Sequence, residues 1–292
     1  MTHQTLSPIT QPTTRRQFLR ALLGLTLASA ATVGYGRTVE PRWLALEKVT
    51  LPIERLPGSL EGLRIAHLSD IHLGPYVSQA HLAHAVAAVH AADAHWLVLT
   101  GDYVTHSVHY VEELVEPLKA LDIPRVAVLG NHDIWTRAAT VRKALTASGT
   151  TLLRNSAVAA APGLWFAGVD DVWSGRPDVH TALRDIPSQA TTILLAHEPD
   201  YFDHVLALEA PIAAQLSGHS HGGQVRLPRL WPDAAGYHSF APILPRYGVC
   251  YPIGLRTING RHIYTNRGLG LWPIPFRINC RPELTLYTLQ RA

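Results

Sequence analysis

Five short apolar runs in the sequence each end in a group of aspartate, asparagine or histidine residues. These side chains supply carboxylate oxygens, an amide oxygen and imidazole nitrogens, which are donors that proteins use for transition metals. In an open α/β sheet, ligands bind at the carboxyl ends of the strands, so we expect the groups to face one rim. The groups are Ser69-Asp70-Ile71-His72, Thr100-Gly101-Asp102, Gly130-Asn131-His132-Asp133, Ala196-His197-Glu198 and Ser217-Gly218-His219-Ser220-His221.

The number and types of these donors favour two metal ions over one. A single tetrahedral or octahedral ion takes fewer protein ligands, whereas two ions that share a bridging carboxylate use the whole set. Such pairs recur in the hydrolysis of phosphate esters. Mixed oxygen and nitrogen donors suit Mn, Fe, Zn, Co or Ni, and the choice among Mn, Fe and Zn stays open. Each motif alone is weak, because Gly101-Asp102 and Gly130-Asn131 are also turn signals.

Strands and helices alternate through the first part of the body, and strands dominate after Gly222. We predict one domain at 61–292, of α/β to α+β class, with a central β structure and helices outside. A connecting segment at 31–60, with a strand and a loop, precedes it. Apolar periodicity predicts helices at 78–92, 108–121, 134–148 and 201–208. It predicts strands at 63–68, 96–99, 125–129, 152–153, 164–167, 192–195, 212–216, 224–227, 261–265 and 283–289.

The order D-x-H, G-D, G-N-H-D, a lone histidine and G-H-x-H resembles that of the calcineurin-like metallophosphoesterases. These motifs run from about Leu63 to Gln224. The resemblance implies a four-layer α-β-β-α sandwich of two mixed sheets, with the metal site at the carboxyl ends of the strands. Further segments are similar to an exported or membrane-attached bacterial branch of phosphohydrolases: Gly168-Val169-Asp170-Asp171, His197-Glu198-Pro199-Asp200, Gly218-His219-Ser220-His221-Gly222-Gly223-Gln224-Val225 and Arg267-Gly268-Leu269-Gly270.

The resemblance also implies a role for each candidate site residue. Asp102 bridges the ions, and a hydroxide held between the metals attacks phosphorus. His132 binds neither ion; it faces the substrate, where it either protonates the leaving oxygen or stabilises the equatorial oxygens of the phosphate. One departure is Thr105, where the family often has Asp. The implied ligands are Asp70, His72, Asp102 and His221 for the first ion, and Asp102, Asn131, His197 and His219 for the second.

These features predict a dinuclear metal-dependent phosphohydrolase. The preferred activity is that of a phosphodiesterase acting on envelope or nucleotide phosphate esters. One alternative is a hydrolase of the pyrophosphate of UDP-2,3-diacylglucosamine in lipid A synthesis. An alternative of another class is a non-catalytic, metal-dependent envelope-binding protein, which would need the ligands but not His132. The choice among monoester, diester and pyrophosphate stays open, as does the oligomeric state.

Residues 1–30 have the pattern of an export signal. The stretch Thr14-Arg15-Arg16-Gln17-Phe18-Leu19-Arg20 resembles the twin-arginine signal, with Arg20 where Lys is commoner. Ala28-Ser29-Ala30 fits a cleavage site, which predicts a mature chain that starts at Ala31. The apolar run at 21–33 has 13 residues, fewer than the roughly 20 that span a bilayer. We therefore expect export to the periplasm or cell envelope by the twin-arginine machinery, with an uncleaved membrane anchor as the alternative.

Composition excludes several other classes of protein. The net charge of +3 comes from the arginines of residues 1–30, and the rest of the chain has equal numbers of basic and acidic side chains. We therefore expect no nucleic-acid partner. Two cysteines, Cys250 and Cys280, are too few for a disulfide scaffold, although they could pair after export. Six aromatic residues among the C-terminal prolines either line an apolar rim or pack in an irregular β layer: Trp231, Tyr237, Phe240, Tyr247, Tyr251 and Trp272.

Overall fold

The computed structural model describes residues 14–233 and 236–292, so residues 1–13 of the predicted export signal lie outside the described part. The helices are α1 (Arg15–Thr38), α2 (Gln79–Ala91), α3 (Val115–Lys119), α4 (Asn131–Ala147), α5 (Val179–Leu183) and α6 (Tyr201–Ala207). The strands are β1 (Ala45–Ile53), β2 (Arg64–Leu68), β3 (Trp96–Thr100), β4 (Arg125–Val128), β5 (Thr151–Leu152), β6 (Ser156–Ala161), β7 (Leu164–Gly168), β8 (Thr191–Leu195), β9 (Ala214–Ser217), β10 (Leu227–Pro228), β11 (Ser239–Phe240), β12 (Gly254–Ile258), β13 (Arg261–Thr265) and β14 (Glu283–Arg291).

Two six-stranded mixed sheets form the centre of the fold. The first has the strand order β1-β14-β2-β3-β4-β5, and the second has the order β12-β13-β9-β8-β7-β6. In the first sheet β2, β3, β4 and β5 run parallel, and β14 pairs antiparallel with β2. In the second sheet β7, β8, β9 and β13 run parallel between the antiparallel edge strands β6 and β12. The parallel strands of each sheet therefore bring their carboxyl ends to one edge.

Alternate side chains of the central strands divide the core into layers. In β3, Leu97 packs with the helical layer of α2 and α4, whereas Val98 packs with the facing sheet. In β8, Ile193 packs toward the first sheet and Leu194 toward α5 and α6. Because successive strand side chains point to opposite faces, both sheets are covered on both sides. The predicted four-layer α-β-β-α sandwich is confirmed.

The predicted helices are confirmed with changed boundaries. The helix predicted at 134–148 begins earlier, at Asn131, where the Asp133 carboxylate accepts the N–H of Gly130 at 2.9 Å. The helix predicted at 108–121 is divided into a 3₁₀ helix, Val108–Leu114, and α3. Pro117 falls in the first turn of α3, where its missing N–H costs no intrahelical hydrogen bond.

The sequence pattern is least informative at the sheet edges. The strand predicted at 224–227 is wrong in extent: Leu227–Pro228 pair with β11 in a two-residue ladder, and Val225 forms an isolated parallel bridge with Ile278. The sequence gives little indication of the edge strands β6 and β12, since most of their residues are partly exposed; β6 is mostly alanine, which is depleted in strands, and β12 has no apolar run. Residues 45–53 of the connecting segment form β1, which pairs with β14 along its whole length.

The N-terminal apolar segment forms a helix longer than its apolar run. Helix α1 has 24 residues, and by length and composition alone its region is long and apolar enough to cross a membrane. This corrects the expectation from the 13-residue run, because the helix continues through the glycine and threonine residues that follow. Near its C-terminal end, Gly36 lies so close to Phe276 that a Cβ atom would stand 2.5 Å from the aromatic ring.

Candidate metal centre

Five of the candidate ligands have backbones in the left-handed region. The φ angles are 48° at Asp70, 50° at His72, 56° at Asp102, 68° at His219 and 51° at His221. Positive φ is uncommon for residues other than glycine, and strained backbones of this kind cluster at functional sites. These residues follow β2, β3 and β9, so the strained turns lie where the carboxyl ends of the two sheets meet.

The first group of donors comes from both sheets. Asp70 and His72 follow β2 of the first sheet, and His221 follows β9 of the second. Nε2 of His221 lies 3.4 Å from Oδ1 of Asp70 and 3.1 Å from Nε2 of His72. One ligand atom from each residue lies within 4.8 Å of the others, and all three side chains are buried. This group can therefore surround one metal ion.

The second group has the same character. Nε2 of His197 lies 3.2 Å from Oδ2 of Asp102 and 3.2 Å from Nδ1 of His219. The donor atoms again lie within 4.8 Å of one another, and the residues are buried. Oδ2 of Asp102 is also 3.5 Å from Nε2 of His72 in the first group. The Asp102 carboxylate therefore stands between the two groups, where a bridging ligand would be needed.

Asn131 lies beside the two groups and lines the same cavity as Asp102 and His219. Its Oδ1 atom is buried and, among the contacts of the described residues, has no hydrogen-bond partner. A buried amide oxygen without a partner is costly, and a metal ion is one group that would satisfy it. The donor set therefore fits two metal ions, and the Asn131 oxygen is available as a further donor.

Hydrogen bonds fix the orientation of the imidazole rings in the second group. Nδ1 of His197 donates to the Thr100 carbonyl at 2.5 Å, so Nε2 is the ring nitrogen that faces Asp102 in the site. Nε2 of His219 donates to the Arg246 carbonyl at 2.7 Å, which leaves Nδ1 with its lone pair. Metal-binding histidines characteristically use one ring nitrogen in this way and present the other to the ion.

The protonation states of these groups also suit metal binding. Burial lowers the pKa of His72 to about 3, although the charge of Asp102 opposes this shift. Burial likewise lowers the pKa of His219 and His221. For Asp102, burial favours the neutral form, but His197 and His132 outweigh it and hold the pKa well below its usual value. At neutral pH His72, His219 and His221 are therefore neutral and Asp102 is ionised, the forms that ligate metals. Burial favours the neutral form of His197 as well, but the charge of Asp102 outweighs it and raises the pKa of His197 well above its usual value, so this imidazole gives up a proton when it ligates a metal.

Burial also raises the pKa of Asp70 to about 7, with His197 opposing the shift and Asp102 adding to it. Two buried carboxylates in one site repel each other when both are ionised. A bound cation relieves this repulsion, which is a second reason why the site suits metal.

His132 occupies a different position from the candidate ligands. Its Nδ1 donates to the Thr105 carbonyl at 2.7 Å, and its other ring nitrogen has no hydrogen-bond partner within 14–233 and 236–292. The side chain lines the cavity above the donor groups, and its ring centroid is 4.8 Å from that of His72. Thr105 is the departure from the family pattern, and its backbone carbonyl orients the His132 ring. The Thr105 hydroxyl donates to the carbonyl of His72 at 3.2 Å.

The backbone around the site is held by a buried carboxylate whose role the sequence did not reveal. Asp133 accepts the N–H groups of Asp102 at 2.8 Å, Tyr103 at 2.9 Å and Gly130 at 2.9 Å. It thereby joins the turn after β3 to the first turn of α4. Gly130 must be a glycine here, because a Cβ atom would lie 2.3 Å from Oδ1 of Asp102. The spacing of Asp133 from Gly130 was the available indication, since a carboxylate three residues after a helix N-cap commonly binds backbone N–H groups.

The cavity above the donor groups has a volume of about 420 Å³. Its floor contains Asp102, Asn131, His132 and histidines of both groups. Its walls are largely apolar, and the sequence indicated only a small part of them. Of the six aromatic residues considered for an apolar rim, only Trp272 lines this cavity in the described structure; the principal wall residues are Trp135, Trp173, Trp272, Ile243, Leu244 and Ile274.

Two carboxylates next to His197 fix the loops that form these walls. Glu198 accepts the N–H groups of Val172 at 3.0 Å and Trp173 at 3.1 Å. Asp200 accepts the N–H groups of residues 249–251 at 2.9, 3.0 and 3.2 Å, in the loop that follows the wall segment 242–245. One short segment therefore carries a candidate ligand and anchors both walls.

The two cysteines do not pair in the structure. Cys250 is exposed, and Cys280 is buried, with its Sγ donating to the His221 carbonyl at 3.2 Å. The disulfide considered from the sequence is therefore absent. Cys280 instead packs beneath the turn that carries His221.

Two mixed sheets inside helical layers, with paired carboxylate and imidazole groups where their strands end, define a metal-dependent phosphoester hydrolase. Residues 63–223 match the calcineurin-like phosphoesterase family, and the chain belongs to that family.

Curated relatives extend the similarity to nearly the whole chain. The uncharacterized metallophosphoesterase YkuE of Bacillus subtilis is 32% identical over 289 residues, covering 94% of this chain and 97% of that protein. Phosphodiesterase YaeI of Escherichia coli is 31% identical over 94% of this chain and 98% of its own length. A transmembrane protein with a metallophosphoesterase domain from Danio rerio is 31% identical over 94% of this chain and 64% of its own length.

Proposed function

We propose that this hydrolase cleaves phosphodiesters of the cell envelope at the candidate metal centre. The observation that carries the proposal is the position of Asp102, whose Oδ2 lies 3.2 Å from His197 of one donor group and 3.5 Å from His72 of the other. The proposed ligands are Asp70, His72, Asp102, Asn131, His197, His219 and His221, and the proposed catalytic residue is His132.

Each part of the site has a distinct task in this proposal. Two bound transition-metal ions, of Mn, Fe or Zn, would supply an activated water and neutralise charge on the phosphoryl oxygens. Asp102 lies between the two donor groups and would bind both ions, and Asn131 would add an amide oxygen. His132, held by the Thr105 carbonyl at Nδ1, presents its other nitrogen to the cavity and delivers a proton to the leaving oxygen.

The charge of the cavity favours a diester over a monoester. Among the described residues that line it, none is Lys or Arg. A monoester dianion leaves two unesterified negative charges for the protein to neutralise, whereas a diester carries one. A diester also places an organic group on each side of phosphorus, and the apolar walls can receive the second one. The name of the similar protein YaeI, a phosphodiesterase, agrees with this choice.

A direct comparison of model substrates tests the choice. We expect kcat/KM for bis(p-nitrophenyl) phosphate to exceed that for p-nitrophenyl phosphate by roughly tenfold or more in metal-loaded protein, a difference of about 1.4 kcal/mol in transition-state binding. UDP-glucose serves as the pyrophosphate comparison. A preference for the monoester, or for UDP-glucose, would reject the diester proposal. No turnover of any of the three would favour the envelope-binding alternative.

We further propose that the twin-arginine machinery exports the folded protein and that α1 stays attached as an anchor. Arg15 and Arg16 form the first turn of α1, and the apolar side chains that follow are exposed. The predicted cleavage site, Ala28–Ala30, lies inside the same continuous helix, which does not favour cleavage.

Replacement of Arg15 and Arg16 by lysine tests the export route, with Arg37→Lys as a matched control at the other end of the helix. We expect the double variant to stay in the cytoplasm and the control to be exported. Normal export of the double variant would reject the twin-arginine route. N-terminal sequencing of the exported protein tests the anchor, and a chain that starts at Ala31 would establish cleavage instead.

A further inference from the structure

The cavity above the metal centre has two chemically different parts. Its polar groups lie on the floor, with Asp102 and His132, and its walls are formed by indole rings and aliphatic side chains. Trp135 and Trp173 meet edge to face with their centroids 5.3 Å apart, and Trp272 meets His132 with a centroid distance of 4.9 Å. The walls therefore begin at the proposed catalytic residue and extend away from it.

The apolar surface continues to the mouth of the cavity. Ile243 and Ile274 line the cavity, yet they are 74% and 42% exposed to solvent. Exposed aliphatic side chains that continue a ligand cavity commonly mark a binding surface. A substrate that reaches from the floor to the mouth would contact apolar groups over this distance.

The amide and hydroxyl side chains of the walls, Gln224 and Ser220, are already engaged. The Gln224 side chain donates through Nε2 to the Ile274 carbonyl at 3.1 Å and accepts the Trp272 N–H at 2.9 Å through Oε1. The Ser220 hydroxyl donates to the Pro252 carbonyl at 2.7 Å and accepts the Gly222 N–H at 3.1 Å. Among the described wall residues, Gln224 and Ser220 therefore have no free amide or hydroxyl group for a nucleobase, and the indole N–H groups can only donate. A hydrocarbon chain needs no such partners.

The mouth also lies beside the end of α1. The N–H of Arg277 donates to the Gly36 carbonyl at 2.9 Å, and Gly36 packs against the ring of Phe276. The Phe276 N–H in turn donates to the Ile274 carbonyl at 2.9 Å. The segment that carries Ile274 at the mouth therefore holds the C-terminal end of a helix that is long and apolar enough to enter a membrane.

From these observations we infer that the substrate is an amphiphilic phosphoester. Its phosphate lies on the floor at Asp102 and His132, and its hydrocarbon chain lies along the tryptophans and past Ile274. The membrane that α1 enters supplies this substrate. This inference rests on the proposed phosphodiester hydrolysis and names its substrate class.

Two soluble diesters that differ only in chain length test the inference. For the full metal-loaded chain, we expect kcat/KM for octyl p-nitrophenyl phosphate to exceed that for methyl p-nitrophenyl phosphate by roughly tenfold or more, because additional methylene groups are buried. Ile243→Ser and Ile274→Ser should each lower this ratio by roughly threefold or more. Leu255→Ser, at a partly exposed leucine on the edge strand β12, is the matched control and should leave the ratio unchanged. Equal turnover of both diesters, with no effect of either isoleucine change, would overturn the inference.

A binding measurement separates this inference from the proposed function. Octylphosphonate should change the fluorescence of the cavity tryptophans at a concentration roughly tenfold below that of methylphosphonate, and Ile274→Ser should remove most of that difference. If neither diester is hydrolysed but this difference is found, the chain site is supported and the proposed hydrolysis fails. If diesters are hydrolysed but the two phosphonates bind equally, the amphiphilic substrate is rejected while the hydrolase remains.

Vesicles distinguish a membrane source from a dissolved one. We expect hydrolysis of hexadecyl p-nitrophenyl phosphate in phosphatidylcholine vesicles to follow its mole fraction in the bilayer at constant bulk concentration. A rate that follows only the bulk concentration would overturn supply from the membrane.

Discussion

Oδ1 of Asp102 accepts the backbone N–H of His132 at 2.9 Å. The Asp102 carboxylate, which lies between the two donor groups, is therefore hydrogen-bonded to His132, the residue proposed as the general acid. This bond occupies Oδ1 and leaves Oδ2 facing His72 and His197. Because the contact uses the backbone of His132, a change in its side chain leaves the contact intact.

The first prediction follows from that geometry. His132→Ala should leave the metal content unchanged and lower kcat for alkyl phosphodiesters by roughly 10²- to 10⁴-fold, the usual range for loss of a general acid. The loss should be smaller for nitrophenyl diesters, whose leaving group needs no proton. Steady-state kinetics on both classes, together with metal analysis, measure these effects.

His109→Ala removes an exposed histidine and is the matched control for His132→Ala, with kcat and metal content expected near those of the unchanged protein. Loss of a metal ion from His132→Ala would identify the residue as a ligand. Unchanged turnover of alkyl diesters would remove it from the catalytic step.

The second prediction concerns the number of metal ions. Purified protein should carry close to two transition-metal ions and lose its activity to chelators. His221→Ala and His219→Ala each remove a donor from a different group, so each should retain about one ion. His84→Ala, at an exposed histidine on α2, is the control and should retain both. A single ion in the unchanged protein, with His219→Ala fully loaded, would refute the two-metal site.

A third prediction concerns Asp133, which accepts three backbone N–H groups beneath the site. Asp133→Ala leaves these buried donors without a partner and should lower the free energy of unfolding by about 3 kcal/mol. Chemical denaturation measures the change, and metal titration should show weaker binding because the Asp102 turn is released. Asp185→Ala, at an exposed aspartate, should change stability by less than about 0.5 kcal/mol. Unchanged stability in Asp133→Ala would show that water replaces the carboxylate.

The fourth prediction separates substrate binding from chemistry. Asp200 anchors the loop that follows the wall segment 242–245, so Asp200→Ala should raise KM for diesters by roughly threefold to tenfold. It should affect kcat less, since none of its contacts involves His132 or Asp102. Glu112→Ala, at an exposed glutamate, is the control. A fall in kcat with KM unchanged would place Asp200 in the chemical step instead.

A fifth prediction uses the two thiols. Cys250 should react with a disulfide reagent in the folded protein, and Cys280 should react only on unfolding. Burial and the nearby Asp200 raise the pKa of the Cys250 thiol, so its thiolate fraction is low at neutral pH and its reaction should accelerate as pH rises. Thiol titration of the non-reduced protein measures both groups. Finding no free thiol even after unfolding would establish a disulfide.

The sequence by itself determined the chemistry of the site. The types and order of residues such as Asp70, Asn131 and His219 indicated metal-dependent phosphoester hydrolysis, because donor atoms at strand ends are readable from the chain. The central strands and helices were predictable for a related reason. Their periodicity reflects burial on one or both faces, as Leu97 and Val98 show in β3.

Only the tertiary structure decided how the residues divide between two groups and what surrounds them. His72 and His221 are 149 positions apart, and their contact at 3.1 Å exists because the edges of two sheets meet. Trp135 lies in the first turns of α4 and Trp173 in the loop after β7, so no local pattern indicates that they form one wall. The position of Gly36 against Phe276 likewise depends on how the last strand, β14, brings its preceding loop back to the start of the chain. Local sequence reports backbone preference and burial, whereas these contacts arise from packing between distant segments.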